Sequence, residues 1–322
     1  MDTIATPWMW TGFFAFVIAA TFVDLKVLSA NRAARVSIKE ALSWTALWVV
    51  LSFAFAVWLW WHLTGAAGPE LAKEKTLEFL TGYLIEKSLS VDNIFVFLML
   101  FTYFAVPPEL QRRTLIYGVL GAIALRIVMI LIGAWLIAKF HWIIYVFGLF
   151  LLVTGAKMLF FAGQKPDLEK NPALRWMRGH LPVSSGFEGD KFLFMRDGVR
   201  VYTPLFLVLV MIAVTDIVFA VDSIPAIFAI TDDPFIVMTS NIFAVLGLRA
   251  LYFVLADMAD RFHLLSYGLA FVLMFIGVKM LLIDIFKIPV FLALGVVAAL
   301  IAASIAASLL WRPRHESRNS PT

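Results

Sequence analysis

The sequence predicts an all-α, polytopic transmembrane bundle of about nine helices, with a three-plus-three inverted repeat formed by segments three to five and six to eight. Three observations carry this. With 62% hydrophobic and 15% charged residues in 322, and a mean hydropathy of +0.92, the chain holds more apolar side chain than one water-soluble core encloses. Nine apolar stretches are each long enough to cross about 30 Å of hydrocarbon as a helix rising 1.5 Å per residue. Finally, one acidic pattern occurs twice: Glu86 and Asp92 in Leu84-Ile85-Glu86-Lys87-Ser88-Leu89-Ser90-Val91-Asp92-Asn93-Ile94, and Asp216 and Asp222 in Thr215-Asp216-Ile217-Val218-Phe219-Ala220-Val221-Asp222-Ser223-Ile224-Pro225.

The segments are 8–27, 44–63, 77–105, 114–138, 142–161, 203–230, 235–256, 264–286 and 288–311. Five units follow: 1–76 with two helices and a loop, 77–161 as the first repeat, 162–202 as a linker, 203–286 as the second repeat, and 287–322 as a last helix with a basic tail. Asp2 precedes the first segment without a basic n-region or small-residue cleavage site, so that segment reads as retained. Trp8, Trp10, Trp61, Trp135, Trp142 and Trp311 lie near segment ends, as interfacial anchors do.

Loop charges set an orientation. Lys26, Arg32, Arg35 and Lys39 follow segment one, and Arg112 and Arg113 follow three. Lys165, Lys170, Arg175, Arg178, Lys191, Arg196 and Arg200 follow five, Arg261 follows seven, and Arg312, Arg314 and Arg318 follow nine. The opposite loops carry chiefly Lys73, Lys75, Lys139 and Lys287, so the positive-inside rule puts the N-terminus outside and the C-terminus in the cytoplasm. The net charge of +4 and pI of 9.3 are thereby accounted for by topology, with no nucleic-acid partner. Within 162–202, the Asp197-Gly198 pair between short alternating runs over 192–201 predicts a small cytoplasmic hairpin.

The repeat reaches beyond the acids. Ala122-Ile123-Ala124-Leu125-Arg126 matches Val245-Leu246-Gly247-Leu248-Arg249, and Val153-Thr154-Gly155-Ala156-Lys157-Met158-Leu159 matches Phe275-Ile276-Gly277-Val278-Lys279-Met280-Leu281. Three crossings per unit make consecutive units enter the membrane from opposite faces, the arrangement of many secondary transporters.

Ionised carboxylates near the bilayer centre cost at least about 2.5–3.5 kcal/mol each and need partners, protons or a cation. Glu86 and Asp92, like Asp216 and Asp222, are six residues apart, about 9 Å along a regular helix and about 120° around it. Ser88, Ser90, Ser223 and Pro225 permit either local unwinding that gathers the acids or a simple kink in an intact helix. Glu86, Asp92, Asp216, Asp222, Asn93 and Ser223 form a candidate set of hard oxygen ligands, with Thr215 and Asn241 as pathway residues. Such a set suits Mg²⁺, Ca²⁺ or Mn²⁺. The chain has no Cys, and its five His fall in loops or at segment ends, so no tightly bound cofactor is expected. Arg126, Arg249 and Lys87 are the candidate counter-charges or gates. The competing structural reading has Arg126 and Arg249 simply neutralise the acids. Lys157 and Lys279 read as snorkelling cations, Asp24 and Glu78 as interfacial, and Asp232 and Asp233 as solvated.

The stretches 81–93, 219–227 and 239–253 resemble the TerC family over nearly the whole chain. That resemblance implies a multi-pass protein of the bacterial inner membrane, related to LysE-type transporters, which exports Mn²⁺ and serves metal and pH homeostasis or tellurite resistance. It carries the family's acidic positions onto Glu86, Asp92, Asp216 and Asp222, with Ala213 standing where relatives often have an acid. The expected function is therefore secondary, proton-coupled transport of a divalent cation through the lipid bilayer, not enzymatic catalysis. Two other readings are an accessory factor for metal delivery or protein assembly, and, remotely, an intramembrane aspartyl protease using Asp92 and Asp222.

Overall fold

A computed structural model of the chain describes residues 3–30, 37–160, 168–256 and 264–310, the side chains of 24–30 and 256 excepted. Arg32, Arg35, Lys165, Arg261, Arg312, Arg314, Arg318, Trp311 and the side chains of Asp24 and Lys26 therefore lie outside the described residues. The helices are α1 (Pro7–Ala30), α2 (Ile38–Ala67), α3 (Pro69–Tyr103), α4 (Pro108–Lys139), α5 (Ile143–Phe160), α6 (Pro172–His180), α7 (Pro204–Phe228), α8 (Pro234–Leu246), α9 (Leu248–Ala256), α10 (Leu265–Leu281) and α11 (Val290–Leu310). Strands β1 (Leu193–Arg196) and β2 (Val199–Tyr202) lie between α6 and α7.

Helix starts follow local chemistry. Pro69, Pro108, Pro172, Pro204 and Pro234 open their helices, where a missing N–H costs nothing and φ is already set. Ser37, Asn171 and Asp233 accept backbone N–H groups as N-caps. Asp197 and Gly198 both have positive φ, 52° and 79°, as a two-residue type I′ hairpin turn requires, and Arg196 pairs with Val199 across it.

Each of the nine expected segments contains helix, but one expectation changes. The seventh segment is not one rod: Gly247 divides α8 from α9, and the two are bent by 42°. Of the two alternatives for the acid-bearing segments, the intact helix is the one found: α3 runs unbroken for 35 residues and α7 continues through Pro225 to Phe228. By length and apolarity α2, α4, α5, α7 and α11 suffice to span a membrane, and the α8–α9 pair makes a sixth. Exposed Val128, Ile132, Leu149, Val153 and Phe291 give their helices apolar outer faces suited to lipid.

Helix α3 is central, packing on α2, α7, α8 and α11, while α4 packs on α7 and α8. Helices α5 and α10 make the most extensive pairing, and glycine permits it. A Cβ at Gly155 would meet the Ala270 carbonyl oxygen at 2.8 Å, and one at Gly277 would meet that of Gly148 at 2.7 Å. Gly155 and Gly277 are equivalent in the repeat alignment, as are Gly148 and Ala270 by its extension. The contact is thus reciprocal, the relation that a two-fold axis between repeats produces.

Tertiary bonds sort the loops into two ends. Thr3 and Ile4 reach Asp233, Thr231 reaches Glu78, Lys279 reaches the Ala229 carbonyl, and His141 and Tyr145 reach Asp284. At the other end the insertion packs on the α3–α4 connection: Arg178 lies over Tyr103 and Phe104, and Arg113 pairs with Asp190. Among the described connections, α3–α4 and the insertion thus share one end, and α4–α5, α7–α8 and α10–α11 the other. The helix α6 with its buried Leu174 and Met177, unforeseen in the linker, anchors this packing.

Gly277→Ala is expected to destabilise the bundle by about 1–3 kcal/mol, since its methyl meets backbone that cannot yield. Gly121→Ala, with nothing within 4 Å of the new Cβ, is expected to be neutral or stabilising. Thermal unfolding of the two variants in one detergent reads the contrast.

Candidate functional site

On α3, Glu86, Ser90 and Asn93 recur at i, i+4 and i+7, and so share one face; on α7, Asp216, Ala220 and Ser223 do the same. Packing of α3 on α7 brings the two faces together, and α4 and α8 close the other sides. Glu86, Ser90, Asn93, Arg126, Asp216, Ser223 and Asn241 are all at most 1% exposed.

Arg126 is the joint. Its Nη1 donates to a Glu86 carboxylate oxygen and, at 2.6 Å, to Asn241 Oδ1, while Nη2 donates to Asp216 Oδ1 at 3.1 Å. One guanidinium thus ties α4 to α3, α7 and α8. Ser90 Oγ lies at the long limit of a hydrogen bond, 3.5 Å, from Glu86 Oε1. Ser90 was not among the expected site residues; its i+4 spacing from Glu86 was the available signal.

Several buried polar atoms here have no hydrogen-bond partner: Glu86 Oε2, Asp216 Oδ2, Asn93 Oδ1, Ser223 Oγ, Asn241 Nδ2 and Arg126 Nε. The four oxygens form two equivalent pairs, Glu86 with Asp216 and Asn93 with Ser223. Orphaned buried oxygens are rare and costly unless a site uses them.

Asp92 and Asp222 do not join the other acids on Arg126. The 120° offset on unbroken helices turns them aside, so Asp92 accepts from Ser266 Oγ of α10 at 3.1 Å and Asp222 lies beside Thr154 and Lys157 of α5. A cavity of about 40 Å³ lies between the groups, lined by Glu86, Asp92, Asn93, Arg126, Asp222 and Ser223 among others. That volume exceeds what one water needs. The expected single cage of four acids is replaced, in this conformation, by an arginine-bridged pair flanked by two further acids. Among the described residues, no three His, Cys, Asp or Glu gather as ligands for one metal ion.

Other expected residues have different places. Lys87 does not face the acids; its Nζ donates to the Ala244 carbonyl at 3.2 Å, at the C-terminal end of α8. Thr215 spends its hydroxyl on the Met211 carbonyl of its own helix. Arg249 is buried in α9, two residues past the Gly247 break. Lys279 does not snorkel: it donates to the Ala229 carbonyl at 2.7 Å and caps the end of α7. Glu78 is buried, bound by Lys75 and Thr231, and Asp233 is buried as the α8 N-cap that also holds the N-terminal segment; Asp232 is exposed as expected.

An all-α membrane bundle whose charged groups converge between its helices belongs to the class of polytopic membrane proteins with an intramembrane ionisable site. More particularly, this chain belongs to the TerC family: residues 71–316 match "Integral membrane protein TerC family". It is 51% identical over 305 residues, 95% of each chain, to a Salmonella typhi protein named "Putative membrane-bound redox modulator Alx". It is 48% identical over 318 residues, 99% of each chain, to the Escherichia coli K12 protein of that name. An uncharacterized membrane protein of Myxococcus xanthus is 46% identical over 320 residues, 99% of this chain and 96% of its own. No solved structure matches.

Removing Arg126 leaves two buried carboxylates facing each other, so Arg126→Gln is expected to cost about 3–5 kcal/mol. Adding Glu86→Gln and Asp216→Asn should recover most of that loss. Unfolding midpoints of the single and triple variants measure both.

Proposed function

We propose that this protein exports a divalent cation, Mn²⁺ foremost, across the bacterial inner membrane by alternating access at the Glu86–Asp216 centre. The observation that carries the proposal is the set of four buried, unpartnered oxygens in two equivalent pairs. Carboxylate, amide and hydroxyl oxygens are the donors that Mn²⁺, Mg²⁺ and Ca²⁺ take. The preference for Mn²⁺ and the outward direction come from family resemblance, and the orientation, N-terminus outside, comes from the loop charges.

Charge balance supports exchange for protons. Two ionised carboxylates and Arg126 sum to −1, so the centre is neutral with Arg126 and one proton, or with a divalent cation once the guanidinium has left. In low dielectric the neutral combinations are favoured. A cation arriving as Arg126 and a proton depart keeps the centre neutral throughout. Asp92 and Asp222, on either flank of the cavity, serve as approach and exit groups that hold either ion. The relatives' name concerns redox modulation; with no Cys in this chain, thiol exchange is not its own chemistry, and metal supply is the route by which it would act.

Mn²⁺ flux into proteoliposomes, with and without a pH gradient, tests the reading. Wild type should transport, faster with an opposing proton gradient. Glu86→Gln, Asp216→Asn, Asp92→Asn and Asp222→Asn should each lose about tenfold or more, since disturbing even an outer partner of a metal site costs that much. Equal flux in all five proteins would remove the site; no flux from folded wild type under any gradient would favour an accessory role.

A further inference from the structure

The repeat pairs Glu86 with Asp216, Asn93 with Ser223, Asp92 with Asp222 and Arg126 with Arg249. Three of these pairs are placed alike: the first two supply the orphaned oxygens, and the third flanks the cavity, Asp92 against α10 and Asp222 against α5. The fourth is not. Arg126 stands in the unbroken helix α4 and holds both acids, whereas Arg249 follows the 42° bend at Gly247. The position equivalent to Gly247 is Ala124, inside α4.

The bend is a built feature. Lys87 Nζ binds the Ala244 carbonyl at 3.2 Å, and a Cβ at Gly247 would stand 2.7 Å from that Nζ and 3.1 Å from Trp48 Cβ. A cation thus stands at the C-terminal end of α8, where it favours the break. The same glycine lets Lys87 and α2 close in.

We propose that Arg126 and Arg249 are alternate occupants of one acid pair. In the state seen here Arg126 bridges Glu86 and Asp216; in the state that exchanges the roles of the two repeats, Arg249 bridges them and Arg126 withdraws. The α8–α9 bend is the joint that carries Arg249 in and out. Inverted repeats make this economical, because both states use the same kinds of contact with the units interchanged, and packed interfaces switch between discrete arrangements. The inference deepens the transport reading by naming what occupies the acids in each state.

The chain has no cysteine, so single-cysteine probes label cleanly. Leu89 and Phe219 occupy equivalent repeat positions and both line the cavity. The quantity read is the ratio of labelling rates of Leu89→Cys and Phe219→Cys by a small hydrophilic thiol reagent, in metal-free proteoliposomes. Arg126→Lys and Arg249→Lys keep the charge, and hence the fold, but lose the fork that reaches two carboxylates. The expected result is a shift of about fivefold or more in this ratio, in opposite directions for the two variants, the low end of an ordinary coupling between sites. In a Glu86→Gln, Asp216→Asn background both shifts should vanish, because no anion is left to exchange. Shifts in the same direction, no shift from Arg249→Lys, or a shift that survives the neutral background would each overturn the exchange. Because labelling needs no flux, failure here with Mn²⁺ transport intact removes only the arginine exchange. Opposite shifts without transport would remove only the function proposed above.

Discussion

Two carboxylates placed face to face inside a bilayer-embedded bundle need a cation between them, and Arg126 supplies it. The cost of burying Glu86 and Asp216 unpaired would amount to several kcal/mol, comparable with the whole stability of many domains. Satisfying them from a single fork fixes α4 against α3, α7 and α8 at one point. The packing of the four helices and the electrostatics of the centre are therefore one constraint. A change that separates α3 from α7 by an ångström lengthens a charged hydrogen bond in low dielectric, where such bonds are strongest.

Around that joint the remaining helices pack reciprocally: α3 on α8 and α4 on α7, with α5 on α10 through Gly155 and Gly277. The close α5–α10 contact joins the two helices that flank Asp92 and Asp222, where backbone meets backbone with no side chain between to yield. The bend lies elsewhere, at Gly247, where α2, α3 and the α8–α9 junction meet around Lys87 and Trp48. A close-packed side and a bend on the other is the division that the proposed rocking of one unit against another would use.

Much of this was legible in the residues. The Asp197-Gly198 pair marked the hairpin that is found, and the doubled acid spacing, matched arginines and matched glycines pointed to a repeat, because each depends on local or periodic signals. The 120° separation of Glu86 from Asp92 was also legible, and unbroken helices preserve it, which is why the four acids do not meet in this conformation. What sequence could not show were contacts between distant segments. Nothing near Gly247 announces that Lys87 will approach it, since a lone glycine in an apolar helix commonly serves packing. Lys279 on the Ala229 carbonyl and Asp233 on the N-terminal segment likewise join residues that only the tertiary fold brings together.

The two halves are not energetically equal, and the inequality has a direction. Arg126 finds a third partner in Asn241, whereas the position equivalent to Asn241 is Gly118, whose side-chain space is taken by the Ile212 methyl, 2.9 Å from where a Cβ would stand. An arginine entering from the second repeat would thus meet a hydrocarbon where Arg126 meets an amide oxygen. One hydrogen bond to a charged group is worth about 1.5–3 kcal/mol, or roughly a 10- to 150-fold bias in population. In the proposed exchange, the arrangement with Arg126 on the acids would accordingly be the resting one, and a cation competing for Glu86 and Asp216 would have to supply at least that difference. In the proposed cycle, an unequal pair of gates would hold the protein in one state until an ion arrives, which a strictly symmetric pair would not do.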